Sequence, residues 1–167
     1  MSNSMDLRDQ KMVEIAAGYF ELGMLEEAVA ELDGLGRRKR LGVLTVWSAE
    51  LRIANRWAEM LGITQILVKL YPEEPETWIS LADATRHAKS VHEALMILRN
   101  AENVFPEDSH LKFQLGCYYC QTGDLGKARD SVRTAMKLHE VWAKIATHDE
   151  DLKLLWHEFR SRLNPPS

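Results

Sequence analysis

Long apolar runs, dense basic stretches and spaced cysteine pairs are all scarce in this chain of 167 residues, and each scarcity removes a class of function. No apolar run approaches the roughly twenty residues needed to cross a bilayer. The opening stretch from Met1 to Asp6 has neither a positive segment nor an apolar core, so no secretory leader is expected and a cytoplasmic setting is the default. Twenty-one lysines and arginines stand against 25 aspartates and glutamates, a net charge of -4. That balance argues against a nucleic-acid binder working by phosphate neutralisation, and membrane association is not expected either.

Cysteine occurs twice, at Cys117 and Cys120. Two thiols three apart on one helix face are poorly placed for an ordinary structural disulfide. A redox pair would need its first thiol at a helix start, where the dipole lowers the pKa, whereas both fall inside a helix. A metal site would need two further ligands, and His87 is the one histidine expected near Cys120. Inert, partly buried thiols are the expectation, with no metal and no cofactor. The six histidines show no ligand spacing, and no phosphate loop, nucleophile elbow or spaced carboxylate pair stands out. The chain is therefore not expected to be an enzyme.

What is present is periodicity. From Pro75 a segment of 34 residues carries Trp78, Leu81, Ala82, Ala94, Leu98, Ala101 and Pro106, and the next, from Ser109, carries Leu115, Gly116, Tyr119, Gly123, Ala128, Val132 and Ala135 at comparable offsets. Large apolar residues at helical spacing, with small ones where two helices must approach, describe an antiparallel helix pair. Ser90 with Glu93 reads as a capping box, Gly123 with Asp124 as a turn and cap, and Pro106 as a helix stop.

This arrangement resembles the tetratricopeptide repeat, whose pattern of Trp, Leu-Gly, Tyr, Ala, Phe, Ala and Pro it follows. One such hairpin cannot bury its apolar face alone, so flanking copies are expected. A degenerate copy starts at Leu41, with Leu44, Trp47, Ser48, Leu51 and Pro72 in register but Met60 and Thr64 at two core places. A clearer copy starts near Asp9, with Ile15, Ala16, Tyr19, Gly23, Ala28 and Leu32. The expected fold is all-α: a right-handed superhelical stack, one domain over 1–167, with repeats at about 9–40, 41–74, 75–108 and 109–140 and a capping region at 141–163.

In order along the chain, helices are expected at about Asp6–Leu22 and Leu25–Leu35. The basic cluster Arg37 to Arg40 then reads as a solvated inter-repeat loop at a helix carboxyl end, where positive side chains meet the carbonyl dipole. The next hairpin covers about Leu41–Tyr71, broken near Asn55 and Arg56. After Leu138 the helix continues or resumes through Trp142 to Ala146. The tail from Asp149 to Leu163 reads as one helix, started by a capping box of Thr147 and Glu150. Its stripe of Leu152, Leu155, Trp156, Phe159 and Leu163 suits an end cap. An acidic-then-leucine tail of this kind looks like those of bacterial members of the family.

The resemblance also implies a concave groove lined by the first helix of each hairpin. The places that face it give an apolar floor of Val13, Ala17, Phe20, Val46, Ala49, Ile53, Ile79, Phe113 and Cys117, spotted with Arg52, Asp83 and Arg86. The family's carboxylate clamp needs lysine, asparagine and arginine at places here held by Val13, Ala17, Val46, Ile79 and Asp83, so that ligand class is not expected. An exposed apolar floor marks a contact surface. The expected function is a non-catalytic scaffold binding a segment of a protein or peptide partner. The alternative is a self-associating module, such as a homodimer, whose groove is covered by its own tail or a second subunit. A secretion-chaperone-like binder is a variant of the first.

Overall fold

The structure, a computed structural model, describes residues 6–163, with side chains through Arg160. It is all helical, with no strand among the described residues. Two compact units divide at the second repeat's end, Met1–Tyr71 and Pro72–Ser167. The first holds α1 (Leu7–Glu21) and α2 (Leu25–Glu31), a 3-10 turn at Leu32–Gly34, α3 (Arg37–Ile53) and α4 (Trp57–Leu70). The second holds α5 (Pro75–Ala88), α6 (Val91–Val104), α7 (Ser109–Gln121), α8 (Leu125–Leu138), α9 (Val141–Ala146), a 3-10 segment at Glu150–Leu155 and α10 (Trp156–Leu163). Consecutive helices pair as hairpins: α1 with α2, α3 with α4, α5 with α6 and α7 with α8.

Helix starts follow the sequence chemistry. Asp6 accepts from the Asp9 amide at 2.8 Å, Ser90 from Glu93 at 3.2 Å, Asp108 from Leu111 at 2.7 Å and Asp124 from Lys127 at 3.1 Å, each satisfying an orphan N–H of a first turn. Three of the four hairpin turns close the same way. Gly23, Asn55 and Gly123 take positive φ, and the next amide reaches back to the helix: Met24 to Tyr19, Arg56 to Leu51 and Asp124 to Tyr119, each at 2.9 Å.

Small residues let the hairpins close. A Cβ added at Gly116 would lie 2.4 Å from a Val132 methyl, so α7 and α8 touch there with no room for a side chain. Ala82, Ala94, Leu98, Ala101, Leu115, Ala128, Val132 and Ala135 are buried around that contact. Trp78 is half-buried and its indole N–H donates to the Pro72 carbonyl at 2.9 Å. In the first unit Ala16, Ala28, Leu44, Trp47, Leu51, Ile63 and Leu67 form the core. Met60 and Thr64, the departures from the repeat pattern, are also buried there, and the Thr64 hydroxyl is satisfied by the Met60 carbonyl at 2.8 Å.

Three expectations need correction. Arg37 to Arg40 are not a loop at a carboxyl end; they form the amino-terminal turn of α3, where the helix dipole opposes positive charge. Three of the four are held there by partners from elsewhere in the unit. Lys39 binds Asp9 at 2.5 Å, Arg40 pairs with Asp33, Arg37 donates to the Leu70 carbonyl at 3.0 Å, and Tyr71 donates to the Arg37 carbonyl at 3.1 Å. The second helix ends at Glu31 and tightens into the 3-10 turn before Leu35. The tail is not one helix: Asp149, rather than Thr147, caps the 3-10 segment, and α10 begins only at Trp156. The Thr147 hydroxyl is spent on the Lys144 carbonyl at 2.8 Å, closing α9. Leu163 lies outside the described side chains.

Candidate functional site

The predicted floor residues meet different fates in the two units. In the first unit Phe20 of α1 stacks on Trp47 of α3, ring centroids 4.5 Å apart and planes 8° from parallel, which fixes the spacing of the two helices. Beside that stack a cleft of about 320 Å³ opens, lined by Val13, Arg38, Lys39, Gly42, Val43, Val46 and Trp47. Val46 is 55% exposed and Ile53 82% exposed, while Ala49 and Arg52 are exposed and Ala17 is half-buried. Gly42 sits inside α3, where a Cβ would meet nothing within 4 Å. Neither the turn geometry nor the packing of the unit requires a glycine there.

In the second unit the equivalent places are covered, and the cover is the chain's own tail. Trp142 of α9 stacks on Phe113, centroids 4.5 Å apart, and lies 5.2 Å from the His110 ring. Phe113, Cys117 and Cys120 are buried, as is Ile79. Past α9, Asp151 reaches Arg86 at 2.5 Å, and Arg86 also lies over the Tyr118 ring with its carbon 5.3 Å from the centroid. Leu152, Leu155 and Phe159 join the core of this unit. Trp156 donates its indole N–H to the Asp149 carbonyl at 2.8 Å, and Arg160 donates to the Thr147 carbonyl at 2.8 Å, so the tail is also folded on itself. Finally Glu158 of α10 ties to α8 through Arg129 at 2.7 Å and Arg133 at 2.5 Å.

The cysteine pair is drawn into this cover. The Cys117 thiol lies 3.9 Å from an Asp149 carboxylate oxygen. Burial pushes the thiol well above its ordinary range, and the Asp149 and Asp151 charges push the same way. Burial raises Cys120 as well. Cys117, Asp149 and Asp151 come close enough to share a cation. The positive charge there is already supplied by Arg86, which grips Asp151 and lies 3.8 Å from Asp83. His87 lies 3.6 Å from an Asp83 carboxylate oxygen.

A groove covered by the chain's own tail was one of the sequence alternatives, but the residues that make the contact were not identified. Asp149 and Asp151 read as first-turn acids of a helix, yet they are the groups that meet Cys117 and Arg86. The alternation of two acids two apart, followed by Leu152, was the available signal.

These paired helices, packed through small residues and closed by repeated left-handed turns, define an α-solenoid of helical hairpins. More particularly, the chain has the tetratricopeptide-repeat fold. A solved structure of MamA from residue 41 onward, from Desulfovibrio magneticus RS-1, matches with a TM-score of 0.60 and 18% identity over 96% of this chain and 95% of that one. TTC0263, a thermophilic tetratricopeptide-repeat protein of Thermus thermophilus, matches at 0.61 and 19% over 90% and 82%. PcrH in complex with the chaperone binding region of PopB matches at 0.57 and 18% over 77% and 97%. No family model and no curated protein matches the sequence. No helix among the described residues is long and apolar enough to cross a membrane.

Proposed function

We propose that the protein is a non-catalytic interaction module that holds a segment of a partner protein in the cleft between α1 and α3. One contrast carries this reading: Val46 is 55% exposed beside the open cleft, while Phe113 on the groove face of the second unit is 1% exposed beneath Trp142. Full burial of a Leu or Phe side chain is worth about 1.5–3 kcal/mol. Lifting Leu152, Leu155 and Phe159 out of the second unit would therefore consume much of a typical domain's stability of about 5–15 kcal/mol. A partner meets far less resistance at the first unit, whose floor is already bare. The PcrH complex with a region of PopB supports the use of this fold for holding a protein segment. Two free thiols, Cys117 and Cys120, suit a reducing cytoplasm, which is part of the same reading.

The test is selection of peptides from a randomised display library on the full chain. Selected peptides should lose binding to Gly42→Trp, which fills the cleft from a position with open space around it, while the thermal midpoint of the variant stays close to the parent's. Peptides that bind Gly42→Trp and the parent equally would contradict the proposal.

A further inference from the structure

The edge of the first unit's cleft carries a charge that the rest of the unit does not answer. Four cations in a row open α3, where the helix dipole opposes positive charge. Lys39 pairs with Asp9, Arg40 pairs with Asp33, and Arg37 donates to the Leu70 carbonyl and lies over the Tyr71 ring. Arg38 has no hydrogen bond, ion pair or ring partner among the described residues, and it stands exposed at the cleft. The sequence leaves it so: its neighbours one helical turn further on are Leu41 and Gly42, and neither can answer a charge.

Gly42 adds a second observation. A glycine inside a helix is destabilising relative to alanine, and no neighbour needs the space here, since a Cβ would meet nothing within 4 Å. The bare backbone leaves room for another main chain to come close. Val46, one turn further on, is 55% exposed, and Val13, Val43 and the buried Trp47 complete an apolar floor. At about 320 Å³ the cleft stands at the small end of ligand pockets, which run from about 300 to 1,000 Å³, so it suits one anchoring side chain rather than a length of chain. The unanswered charge of Arg38 suits a single carboxylate, whereas a nucleic-acid backbone would call for a row of available cations.

We infer that the cleft, read as the binding surface, takes one apolar anchor side chain from a partner protein together with a nearby carboxylate that pairs with Arg38. The aspartate or glutamate lies one or two residues from the anchor, and the partner's main chain passes over Gly42. Arg38 and Gly42 are four helical residues, roughly 6 Å, apart, and an extended chain advances roughly 3.3 Å per residue, so one or two residues cover that distance. The two contacts divide the work. Burial of the anchor supplies most of the affinity, while pairing at an exposed guanidinium contributes less and sets which segments bind and in which direction.

Panning a randomised display library on this chain and on Arg38→Glu, with Gly42→Trp as the control, tests this. Peptides enriched on the parent should carry a large apolar residue with an acid within two places of it, and on Arg38→Glu the acid should give way to lysine or arginine. In synthetic copies of an enriched peptide, alanine at the anchor should weaken binding about tenfold or more by fluorescence anisotropy. Asparagine or glutamine in place of the acid should weaken it about two- to fivefold, a difference that Arg38→Gln removes. Arg38→Glu should keep or slightly raise the parent's thermal midpoint, because an acid suits a helix amino end, so binding lost there is not folding lost. Enriched apolar peptides with no acid, or an acid preference unchanged on Arg38→Glu, would overturn the inference while leaving the cleft as the site. Failure to enrich any peptide, or enrichment that survives Gly42→Trp, would take down the underlying reading as well. A concentration-dependent dimer that Gly42→Trp dissolves would assign the cleft to a second copy and overturn the inference.

Discussion

Trp142 lies over Phe113 with ring centroids 4.5 Å apart, and its indole nitrogen is buried without a hydrogen-bond partner. The contact therefore works through the ring, and the N–H is a cost. Trp142→Ala should lower unfolding stability by about 2–4 kcal/mol, close to other large-to-small aromatic changes. Trp142→Phe should be neutral or stabilising by up to about 1 kcal/mol, because it keeps the stacking and removes an unsatisfied donor. Urea unfolding of the two variants measures both. A Phe variant as damaged as the Ala variant would count against this account.

The hairpin turns make a second prediction. Gly123 has φ 85° and Asn55 φ 56°. Gly123→Ala should cost about 1 kcal/mol or more, since a Cβ in the left-handed region is strained, and Asn55→Gly should be neutral to slightly stabilising. Gly116→Ala should cost about 1–3 kcal/mol for another reason, overpacking against Val132. Thermal unfolding of the three single variants orders them.

The tail's hold should depend on pH through Glu158. Burial opposes its charge, but Arg129 and Arg133 more than offset that and keep the carboxyl below its ordinary range. A folded pKa below the unfolded value of about 4.3 contributes stability that is present above that value and is lost as pH falls through the folded one. Asp149 runs the other way: burial raises its carboxyl, so the charged form is penalised at neutral pH and relieved as pH falls through the raised value. Glu158→Gln should lower stability at pH 7 and remove part of the acid-side loss. Asp149→Asn should leave stability at pH 7 unchanged or slightly higher, because asparagine also serves as a helix cap. Denaturant midpoints across the acid range separate the two.

Cys117 should be chemically silent in the native state. With its thiol pushed up by burial and by Asp149 and Asp151, little thiolate exists at neutral pH. A thiol-reactive dye should label it only at the rate of local or global opening. Fast native labelling of Cys117, followed by peptide mapping, would contradict the buried arrangement.

Much of the fold was written locally. Trp78, Gly116, Gly123 and the alanines of the second unit carry helix period, close approach and turn geometry within a few residues, so the hairpins were legible. Arg37 to Arg40 were misread in part because Asp9, which pairs with Lys39, and the Tyr71 hydroxyl, which accepts from Arg40, lie 30 and 31 residues away in the sequence. The tail was misread for the same cause: its apolar stripe announces burial but not against what, and the pairing of Asp151 with Arg86 spans 65 residues. The groove places themselves came from the repeat register. Which of them are bare and which are covered depends on where the tail lies, and no local pattern encodes that.

Hydrogen exchange on this chain with a cleft-selected peptide bound decides whether the first unit's cleft or the tail-covered face is the binding surface. Slowed exchange is expected in α1 and α3, with α5, α7 and the segment from Val141 to Phe159 unchanged. Slowed exchange in α5 and α7 together with faster exchange in that tail segment would mean that the peptide replaces the tail, and would contradict binding at the cleft.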